Sequence, residues 1–421
     1  MTGSMFDIQK EIDLCAASGG GEVVLPPWNY LTGTIFLRSN IHLIIPEGSI
    51  ITGSADLADY PAAADKFSDG TAQERGRALI MADHIENASV TGGGEINGQG
   101  GKFPLEGPEF PRRPILMRFV NCRNITLKDI KLRAPAAWTC HLRSCENVII
   151  DHLDIFSHAN SNNDGIDIDS CKKVEVRDCR IDSGDDAVCL KSTAAGACEN
   201  ISISGCELRS MAAAFKVGTE TYGDIRQVKF CNCRIMRGNM GAIKLFSADG
   251  ARLEDITISD VTVTQAANPF FIRLGSRGRC YDDSPQKGAG CIRNISVIGL
   301  RADIILHPEA IRSVNYLDGV PEYAHNCLAI MGLPDNPVEN VSFRNISLNL
   351  PGSMTGEPQD AGIPEFADGY PEIGYYGVLP AYGIFMRHVR KVDFSGCDIS
   401  LTAPDCRQKI VLDDAREITG I

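Results

Sequence analysis

Short runs that alternate apolar and polar residues fill most of this chain. Ile166-Asp167-Ile168, Val174-Glu175-Val176 and Ile256-Thr257-Ile258 are examples. Alternation with a period of two predicts β-strands that bury one face. Turn residues separate the runs, and a helical pattern occurs only near the N-terminus, at 6–12. The pattern therefore predicts an all-β protein with one short helix.

The strand pattern repeats along the chain. The string Cys-x-Asn/Lys-Val/Ile begins at Cys122, Cys145, Cys171 and Cys198, at spacings of 23, 26 and 27 residues. Repeats of this length, built of several short strands, are typical of the coils of a parallel β-helix, which stack at the strand spacing of about 4.8 Å. Because one coil cannot bury its apolar face alone, we expect a single domain over 1–421.

Three kinds of segment interrupt the repeat. We interpret residues 1–30 as an N-terminal cap on the open end of the solenoid. Residues 55–80 and 276–290 are predicted to be polar loops. Residues 303–335 and 351–385 are predicted to be long loop insertions, where binding specificity usually lies.

Two recurring residue types predict columns along the coils. The chain has sixteen Cys, and those in register, such as Cys179, Cys206 and Cys233, are expected to point inward as small free thiols. Unpaired thiols favour a reducing compartment. The recurring Asn, such as Asn124 and Asn200, are expected at coil corners, where Asn tolerates the left-handed conformation and its amide can stack on the next.

Charge and composition exclude several classes of protein. Charged residues are 23% and hydrophobic residues 43%, which excludes disorder. The net charge of −13 argues against nucleic-acid binding. No apolar run approaches the ~18 residues of a membrane span, so no membrane partner is expected. No signal peptide is visible, which with the thiols predicts a cytoplasmic location. A secreted or periplasmic location stays open if the natural N-terminus lies further upstream.

Candidate chemistry is densest between residues 160 and 192. Asp164 and Asp185 are 21 residues apart, about one coil, so Asp164 can lie beside the Asp185-Asp186 pair. Carboxylates this close to one another raise the pKa of at least one member of the group. One carboxyl group can then act as an acid while the others act as bases, as glycoside hydrolysis needs. The alternative is a Ca²⁺ site or solvated turns. The turn interpretation is favoured for four others: Asp167, Asp169, Asp178 and Asp182.

With these motifs the chain resembles the polygalacturonase-type glycoside hydrolases, family 28, in its bacterial branch. Asn163-Asp164-Gly165-Ile166-Asp167 is similar to the Asn-Thr-Asp motif of that family, and Gly184-Asp185-Asp186 to its Gly-Asp-Asp motif. The resemblance implies a single-stranded, right-handed parallel β-helix and an inverting hydrolase of pectic or related uronate-bearing glycans. Asp185 would be the general acid, and Asp164 and Asp186 would activate water. An inverting pair is expected about 6.5–9.5 Å apart, and no metal or other cofactor is implied.

The chain departs from two motifs of that family. Its Gly-His-Gly motif falls at 212–214, with Ala213 in place of the His, and its Arg-Ile-Lys motif at 242–244 keeps only Lys244. In typical members that Arg and Lys hold a galacturonate carboxylate beyond the cleaved bond. The resemblance therefore implies a rhamnogalacturonan-type enzyme or an exo-acting galacturonidase. Lys216 and Glu220 are candidates to replace the lost groups.

Three further residues are candidate substrate ligands: Asn163, Lys191 and Arg273. For Arg273 the alternative is a solvated face. Two other functions stay open for the whole chain: a polysaccharide lyase on the same scaffold, and an inactive glycan-binding β-helix. The expected partner is an oligo- or polysaccharide, and the oligomeric state is left open.

Overall fold

The computed structural model describes residues 6–281, 283–305, 326–352 and 362–421. Within them α1 (Ile8–Ala17) is the only α-helix. The strands are β1 (Gly21–Val24), β2 (Asn29–Thr32), β3 (Ile35–Phe36), β4 (Ile41–Ile44), β5 (Ile50–Gly53), β6 (Phe67–Ser68), β7 (Glu74–Arg75), β8 (Ala78–Asp83), β9 (Glu86–Thr91), β10 (Glu95–Asn97), β11 (Ile115–Val120), β12 (Arg123–Lys128), β13 (Lys131–Arg133), β14 (Cys140–Arg143), β15 (Glu146–Asp151), β16 (Asp154–Ser157), β17 (Ile166–Asp169), β18 (Lys172–Arg177), β19 (Arg180–Ser183), β20 (Val188–Ser192), β21 (Cys198–Ser204), β22 (Glu207–Ser210), β23 (Ala213–Thr221), β24 (Ile225–Cys231), β25 (Arg234–Gly238), β26 (Gly241–Ser247), β27 (Arg252–Ser259), β28 (Thr262–Ala266), β29 (Phe270–Leu274), β30 (Cys291–Ile298), β31 (Arg301–Ile304), β32 (Leu328–Met331), β33 (Val338–Arg344), β34 (Ser347–Leu350), β35 (Ala381–Ser395), β36 (Asp398–Leu401) and β37 (Gln408–Thr419).

The chain contacts divide into two compact units, and each is a stack of parallel strands. The first unit comprises the described residues up to Val188 together with Asn200–Cys206. Its three stacks run through β1, β4, β9, β12, β15 and β18, through β3, β8, β11, β14 and β17, and through β2, β5, β10, β13, β16 and β19. Most of these parallel pairs join strands three places apart in the chain, as in β12, β15 and β18, which confirms the predicted all-β parallel β-helix.

The second unit repeats this arrangement. It comprises Cys189–Glu199 and the described residues from Glu207 on. Its stacks run through β23, β26, β29, β32 and β35, through β24, β27, β30, β33 and β35, and through β22, β25, β28, β31, β34 and β36. Strand β35 is long enough to belong to two stacks, and β37 pairs along it.

Register places like residues on adjacent coils, as the repeat predicts. Ile125 pairs with Val148, which pairs with Val174, and all three are almost fully buried. Cys122 and Cys145, one residue before these strands, are also buried. All sixteen cysteines are free thiols in the structure.

The predicted asparagine column is confirmed at the coil corners. Asn87 donates to Asn40 at 3.1 Å, Asn124 to Asn87 at 2.8 Å, and Asn147 to Asn124 at 2.7 Å. All four have positive φ, between 56° and 61°. The left-handed conformation turns the chain, and the amide ladder satisfies side chains that would otherwise compete for backbone groups.

Helix α1 confirms the predicted helical cap with shifted bounds. Asp7 caps it by accepting from Lys10 N at 3.0 Å, and Ile8 and Ile12 bury their side chains where the helix contacts β1, β3 and β4. The helix begins two residues later than the predicted stretch and extends to Ala17. None of the helices in the described ranges is long and apolar enough to cross a membrane.

Both predicted insertions are described only in part. Strands β31 and β32 occupy the ends of 303–335, and 306–325 lies outside the described residues. In 351–385, residues 353–361 lie outside the described part, and β35 already begins at Ala381. The described segment 362–380 packs an apolar cluster against β26, β29, β32 and β35 that includes Phe246, Phe271 and Tyr376.

Candidate active site

The first unit brings three aspartates together at the ends of adjacent strands. Asp164 lies two residues before β17, and Asp186 lies two residues before β20. Gly165 N donates to Asp186 O at 2.9 Å, which sets the two turns on neighbouring coils. One carboxylate oxygen from each of Asp164, Asp185 and Asp186 lies within 4.8 Å of the others. The predicted convergence is therefore present.

The three aspartates differ in exposure. Asp164 and Asp186 are buried, with 3% and 2% of their surface exposed, whereas Asp185 is half-buried. The turn itself holds Asp185, because Ser183 Oγ donates to the Asp185 carbonyl at 2.6 Å and Asp186 N donates to Asp185 Oδ1 at 3.0 Å. One carboxyl group thus faces solvent beside two that are largely shielded from it.

The spacing of the carboxylates differs from the expected spacing of an inverting pair. The nearest oxygens lie within 4.8 Å, closer than the expected range of about 6.5–9.5 Å. The scaffold explains this, because neighbouring coils of a β-helix are separated only by the strand spacing of about 4.8 Å.

Two groups in the described ranges bring three potential metal ligands within 4.8 Å. The first is the aspartate trio, which offers three of the six to eight oxygens that Ca²⁺ takes. The second is Asp151, His152 and Asp178, but Asp151 already pairs with Arg177 at 3.0 Å and Lys128 at 3.4 Å. The expectation that no metal takes part stays a prediction.

Asn163 is fully buried and is engaged by the backbone. Its Nδ2 donates to Pro135 O at 3.1 Å and Ala137 O at 2.8 Å, and its Oδ1 accepts from Asn160 N at 2.7 Å. The side chain therefore shapes the turn that leads into Asp164. A contact with substrate stays a prediction.

Two aspartates predicted as solvated turn residues are buried in a strand. Asp167 and Asp169 lie in β17 and are fully buried. Asp169 Oδ2 lies 3.6 Å from His141 Nε2, and burial lowers the pKa of His141 to about 4 despite this carboxylate. The alternation of period two around Ile166 and Ile168 indicates a strand, and it outweighs the turn interpretation at both positions.

The other two aspartates of that prediction differ from each other. Asp178 is exposed after β18 with φ of 53°, as a turn residue. Asp182 lies in β19, and His158 Nε2 lies 2.7 Å from its Oδ1. The turn interpretation is therefore confirmed for Asp178 and wrong for Asp182.

The segment 60–77 covers the face of β11 and β14 that points away from the core. Asp65 accepts from Arg118 at 2.7 and 3.0 Å and from Arg143 at 3.1 Å. Phe67 packs against Trp138, with ring centroids 6.4 Å apart. The predicted polar loop thus contains an ordered hairpin, β6–β7.

Sequence reasoning missed Arg113, which is 1% exposed. Its guanidinium donates to the turn at 160–162 that precedes Asp164. Burial and the nearby Arg75 lower its pKa to about 10. The Arg112-Arg113 pair before a proline gave no signal in the sequence, because the turn that Arg113 contacts lies almost fifty residues away along the chain.

The second unit contains most of the predicted substrate ligands, and they are paired within the chain. Lys191 Nζ lies 3.2 Å from Glu220 Oε2, and both side chains are almost fully buried. Lys216 is 7% exposed, with Nζ 6.0 Å from the centroid of the Tyr370 ring. The contacts of these side chains with substrate stay predictions.

Lys244, the cation retained from the family motif, forms a buried ion pair. Its Nζ lies 2.5 Å from Glu372 Oε1, and both side chains are buried. The same oxygen accepts from Ile373 N at 3.0 Å. The charge of Lys244 is thus compensated by a carboxylate of segment 362–380.

Arg273 is fully buried, so the solvated alternative is wrong for it. Its Nη1 donates to Gly332 O at 2.7 Å, and Nη2 donates to Glu365 O. The guanidinium lies 5.2 Å from the centroid of the Tyr376 ring, and burial lowers its pKa. The bond to Glu365 O links β29 to segment 362–380.

The position of the missing motif histidine lies at the start of β23. Ala213 is the first residue of that strand and is 1% exposed, and Ala212 and Ala214 beside it are also buried. Further along β23, Phe215 stacks on Phe230 in the core, with ring centroids 4.4 Å apart, whereas Lys216 approaches Tyr370. The assignment of Ala213 to the histidine position stays a prediction.

Comparison with known proteins gives a consistent set of relatives. A family model described as glycosyl hydrolases family 28 matches residues 61–281. A probable polygalacturonase of Vitis vinifera is 24% identical over 367 residues, 83% of this chain and 71% of that protein. A hyperthermoactive exopolygalacturonase from Thermotoga maritima has a TM-score of 0.70 at 21% identity, covering 93% of this chain and 87% of that one. A family 28 exopolygalacturonase of Yersinia enterocolitica has a TM-score of 0.68 at 17% identity, covering 98% and 74%.

The fold and the carboxylate cluster define a class: a parallel β-helix protein with the acid and base groups needed to hydrolyse a glycosidic bond. The family match covers more than half of the chain, and this chain belongs to glycosyl hydrolases family 28. It is an inverting, polygalacturonase-type O-glycosyl hydrolase.

Proposed function

We propose that this protein is an exo-acting glycosidase that removes the terminal residue of pectic oligosaccharides. The observation that carries the proposal is the covered sheet face next to Asp164. Register sets Arg118, His141 and Asp167 in one row across β11, β14 and β17. This row points away from the core, yet each of its members is fully buried. A glycan cannot extend along a face that segment 60–77 occupies, so cleavage at a chain end is favoured.

The exposures of the three aspartates support the assignment of their roles. A general acid must reach the glycosidic oxygen within hydrogen-bond distance, which suits the half-buried Asp185. Asp164 and Asp186 are then the carboxylates that can take a proton from the attacking water. The water then attacks from the face opposite the leaving group, and the configuration at the anomeric carbon is inverted.

The Lys244–Glu372 pair supports a substrate that is neutral beside the cleaved bond. Typical members use an Arg and a Lys against a galacturonate carboxylate, whereas position 242 is Ala here and Lys244 is paired. A buried pair of zero net charge gives an incoming carboxylate little attraction. A rhamnogalacturonan-type oligosaccharide fits this arrangement better than homogalacturonan. The two solved exopolygalacturonases that share the fold support exo action.

The test is a timed digest of homogalacturonan and rhamnogalacturonan oligosaccharides of defined length, analysed by mass spectrometry. An exo-acting enzyme shortens each oligosaccharide by one unit at a time, and we expect faster turnover of the rhamnogalacturonan series. A broad mixture of internal fragments at early times would contradict exo action. Product absorbance at 235 nm would instead indicate a lyase, and no product from any oligosaccharide would indicate a binding protein.

The thiol content supports a location in a reducing compartment. All sixteen cysteines are free in the structure, and ten of them are buried. The location therefore stays a proposal that thiol titration can test.

A further inference from the structure

Arg113 is a buried cation with unusual partners. It lies between a 3-10 helix (Phe110–Arg112) and β11, is 1% exposed, and forms no ion pair with a carboxylate in the described ranges. Burying a charge is costly unless it is hydrogen-bonded. Its donors are satisfied by six neutral oxygens: Phe110 O, Ala136 O, Ser161 O, Asn160 Oδ1, Asn162 Oδ1 and Gln73 Oε1.

Half of these acceptors belong to one turn. Arg113 donates to Asn160 Oδ1 at 2.6 Å, Ser161 O at 2.8 Å and Asn162 Oδ1 at 3.0 Å. This turn leads through Asn163 directly into Asp164. The planar guanidinium holds its hydrogen bonds in a fixed fork, so it restricts the position and orientation of the turn.

A second side chain strengthens the same link. Gln73 Oε1 accepts from Arg113 Nη2 at 2.7 Å, and Gln73 Nε2 donates to Asn162 Oδ1 at 2.7 Å. Asn162 itself has φ of 54°, the left-handed conformation that Asn tolerates, and its side-chain oxygen accepts from both Arg113 and Gln73. The network therefore connects segment 60–77 and β11 to the turn before the candidate base.

We propose that Arg113 is a positioning residue for the hydrolysis, acting through the turn 160–163 to hold the Asp164 carboxylate beside Asp185 and Asp186. This inference rests on the proposed role of Asp164 as a base. Arg113 does not itself touch the reacting atoms. Its effect comes from geometry, because displacing a catalytic group by about 1 Å can reduce the rate by roughly 10²-fold.

The first experiment replaces the fork by a point charge. Arg113→Lys keeps the positive charge but cannot make the set of planar hydrogen bonds. We expect kcat to fall by about 10²-fold while KM changes only a few-fold, because the base acts on the water in the transition state. Kinetics are measured well below the melting temperature, with circular dichroism confirming the folded state. An unchanged kcat would overturn the inference.

The matched control is another buried arginine in the second unit. Arg407 is 4% exposed, pairs with Asp405 at 2.9 Å and donates to Leu379 O at 3.2 Å. Arg407→Lys should lower the melting temperature as Arg113→Lys does, but leave kcat unchanged. An equal loss of kcat in both variants would mean that the effect reflects general destabilisation.

A double-mutant cycle separates positioning from a purely structural role. If Arg113 acts through Asp164, then Arg113→Lys in an Asp164→Asn background should cause no further loss of kcat. A further loss of roughly 10²-fold would overturn the inference while leaving the role of Asp164 intact. If Asp164→Asn alone keeps full activity, both the inference and the proposed base are wrong.

A milder variant keeps the test available if Arg113→Lys does not fold. Gln73→Met removes the bridging amide and leaves the arginine in place. We expect a smaller fall in kcat, again with little change in KM and again absent in the Asp164→Asn background. A normal kcat for Gln73→Met in a protein whose Arg113→Lys variant does not fold would count against the inference.

Discussion

Residue type alone does not decide what an aspartate does in this chain. Asp178 and Asp185 both follow a short strand, but Asp178 is exposed at a coil corner, whereas Asp185 lies within 4.8 Å of two further carboxylates. The difference arises because Asp185 belongs to a turn that stacks on the turn of Asp164. Chemistry at the residue scale therefore depends on the neighbouring coil.

Asp185→Asn should remove the proton donor to the leaving group. General acid catalysis contributes roughly 10²–10⁴-fold, so we expect kcat to fall by at least that range. Steady-state kinetics on the preferred oligosaccharide give the measurement, and thermal denaturation should show a folded protein because Asp185 is half-buried.

Asp178→Asn is the matched control, since asparagine tolerates the same left-handed turn conformation. We expect wild-type kcat. The reverse outcome, with Asp185→Asn active and Asp178→Asn inactive, would show that the motif alignment is wrong.

The buried His141 should make the free energy of unfolding depend on pH. Its pKa is about 4 in the folded protein because of burial, against about 6.5 in an unfolded chain. Between these values the unfolded state binds more protons, so stability is lost as pH falls from about 6.5 towards 4, at up to ~1.4 kcal/mol per pH unit. Urea denaturation between pH 5 and 7, where most carboxylates stay ionised, measures the slope.

His141→Phe should remove the part of the pH dependence of the unfolding free energy that comes from His141. Phenylalanine fits the aromatic surroundings, since Trp138 and Phe67 lie 5.0 and 6.0 Å from the His141 ring. Replacing the exposed His84 by Asn should leave the slope unchanged. An identical pH dependence in wild type and His141→Phe would exclude His141 as its origin.

At the scale of elements, covering segments bury polar side chains that strand periodicity assigns to the surface. Segment 60–77 does so over β11 and β14, and segment 362–380 does so over β26 and β29. Each segment supplies carboxylates to cations of the sheet, as Asp65 does for Arg118 and Glu372 for Lys244. The outward faces are therefore interfaces inside the protein.

Removing only the cation of the Lys244–Glu372 pair should cost more stability than replacing both residues. Lys244→Met leaves the carboxylate of Glu372 buried without its cation, which costs about 3–5 kcal/mol. Adding Glu372→Gln should recover most of that loss, because no buried charge remains and Ile373 N keeps its acceptor. Urea denaturation of the single and double variants measures the coupling.

An exposed pair gives the control. Arg123 and Glu146 lie 3.2 Å apart with side chains 63% and 36% exposed, and Arg123→Met should cost no more than about 1 kcal/mol. Strictly additive losses in the Lys244 and Glu372 variants would mean that the two side chains do not interact.

At the scale of the whole molecule, the oxidation state of the cysteines tests the predicted columns of free thiols along the coils. Cys145 N donates to Cys171 Sγ at 3.3 Å, across adjacent coils, and burial raises the pKa of the Cys145 thiol. Thiols with raised pKa values hold little thiolate, so they react slowly with oxidants. Titration of the denatured protein without reductant should find close to sixteen thiols. Recovery of only a few would contradict both the thiol columns and the proposed reducing compartment.

The sequence by itself determined the repeating architecture. Coil length, the alternation around Ile125, Val148 and Val174, and the asparagine corners are local patterns, and stacking reproduces them on each coil. The aspartate cluster was also predictable, because a spacing of about one coil implies proximity once the solenoid is known. Helix α1 was predictable from the helical pattern at 6–12, although its Asp7 cap and its end at Ala17 were not predicted.

Only the tertiary structure decided what covers the strands and which charges meet. Arg113 contacts a turn almost fifty residues away, and Glu372 reaches Lys244 across 128 residues. Asp65 reaches Arg118 from segment 60–77, which covers β11 and β14. Such contacts depend on the paths of irregular segments, which have no period, and so no pattern along the chain could predict them.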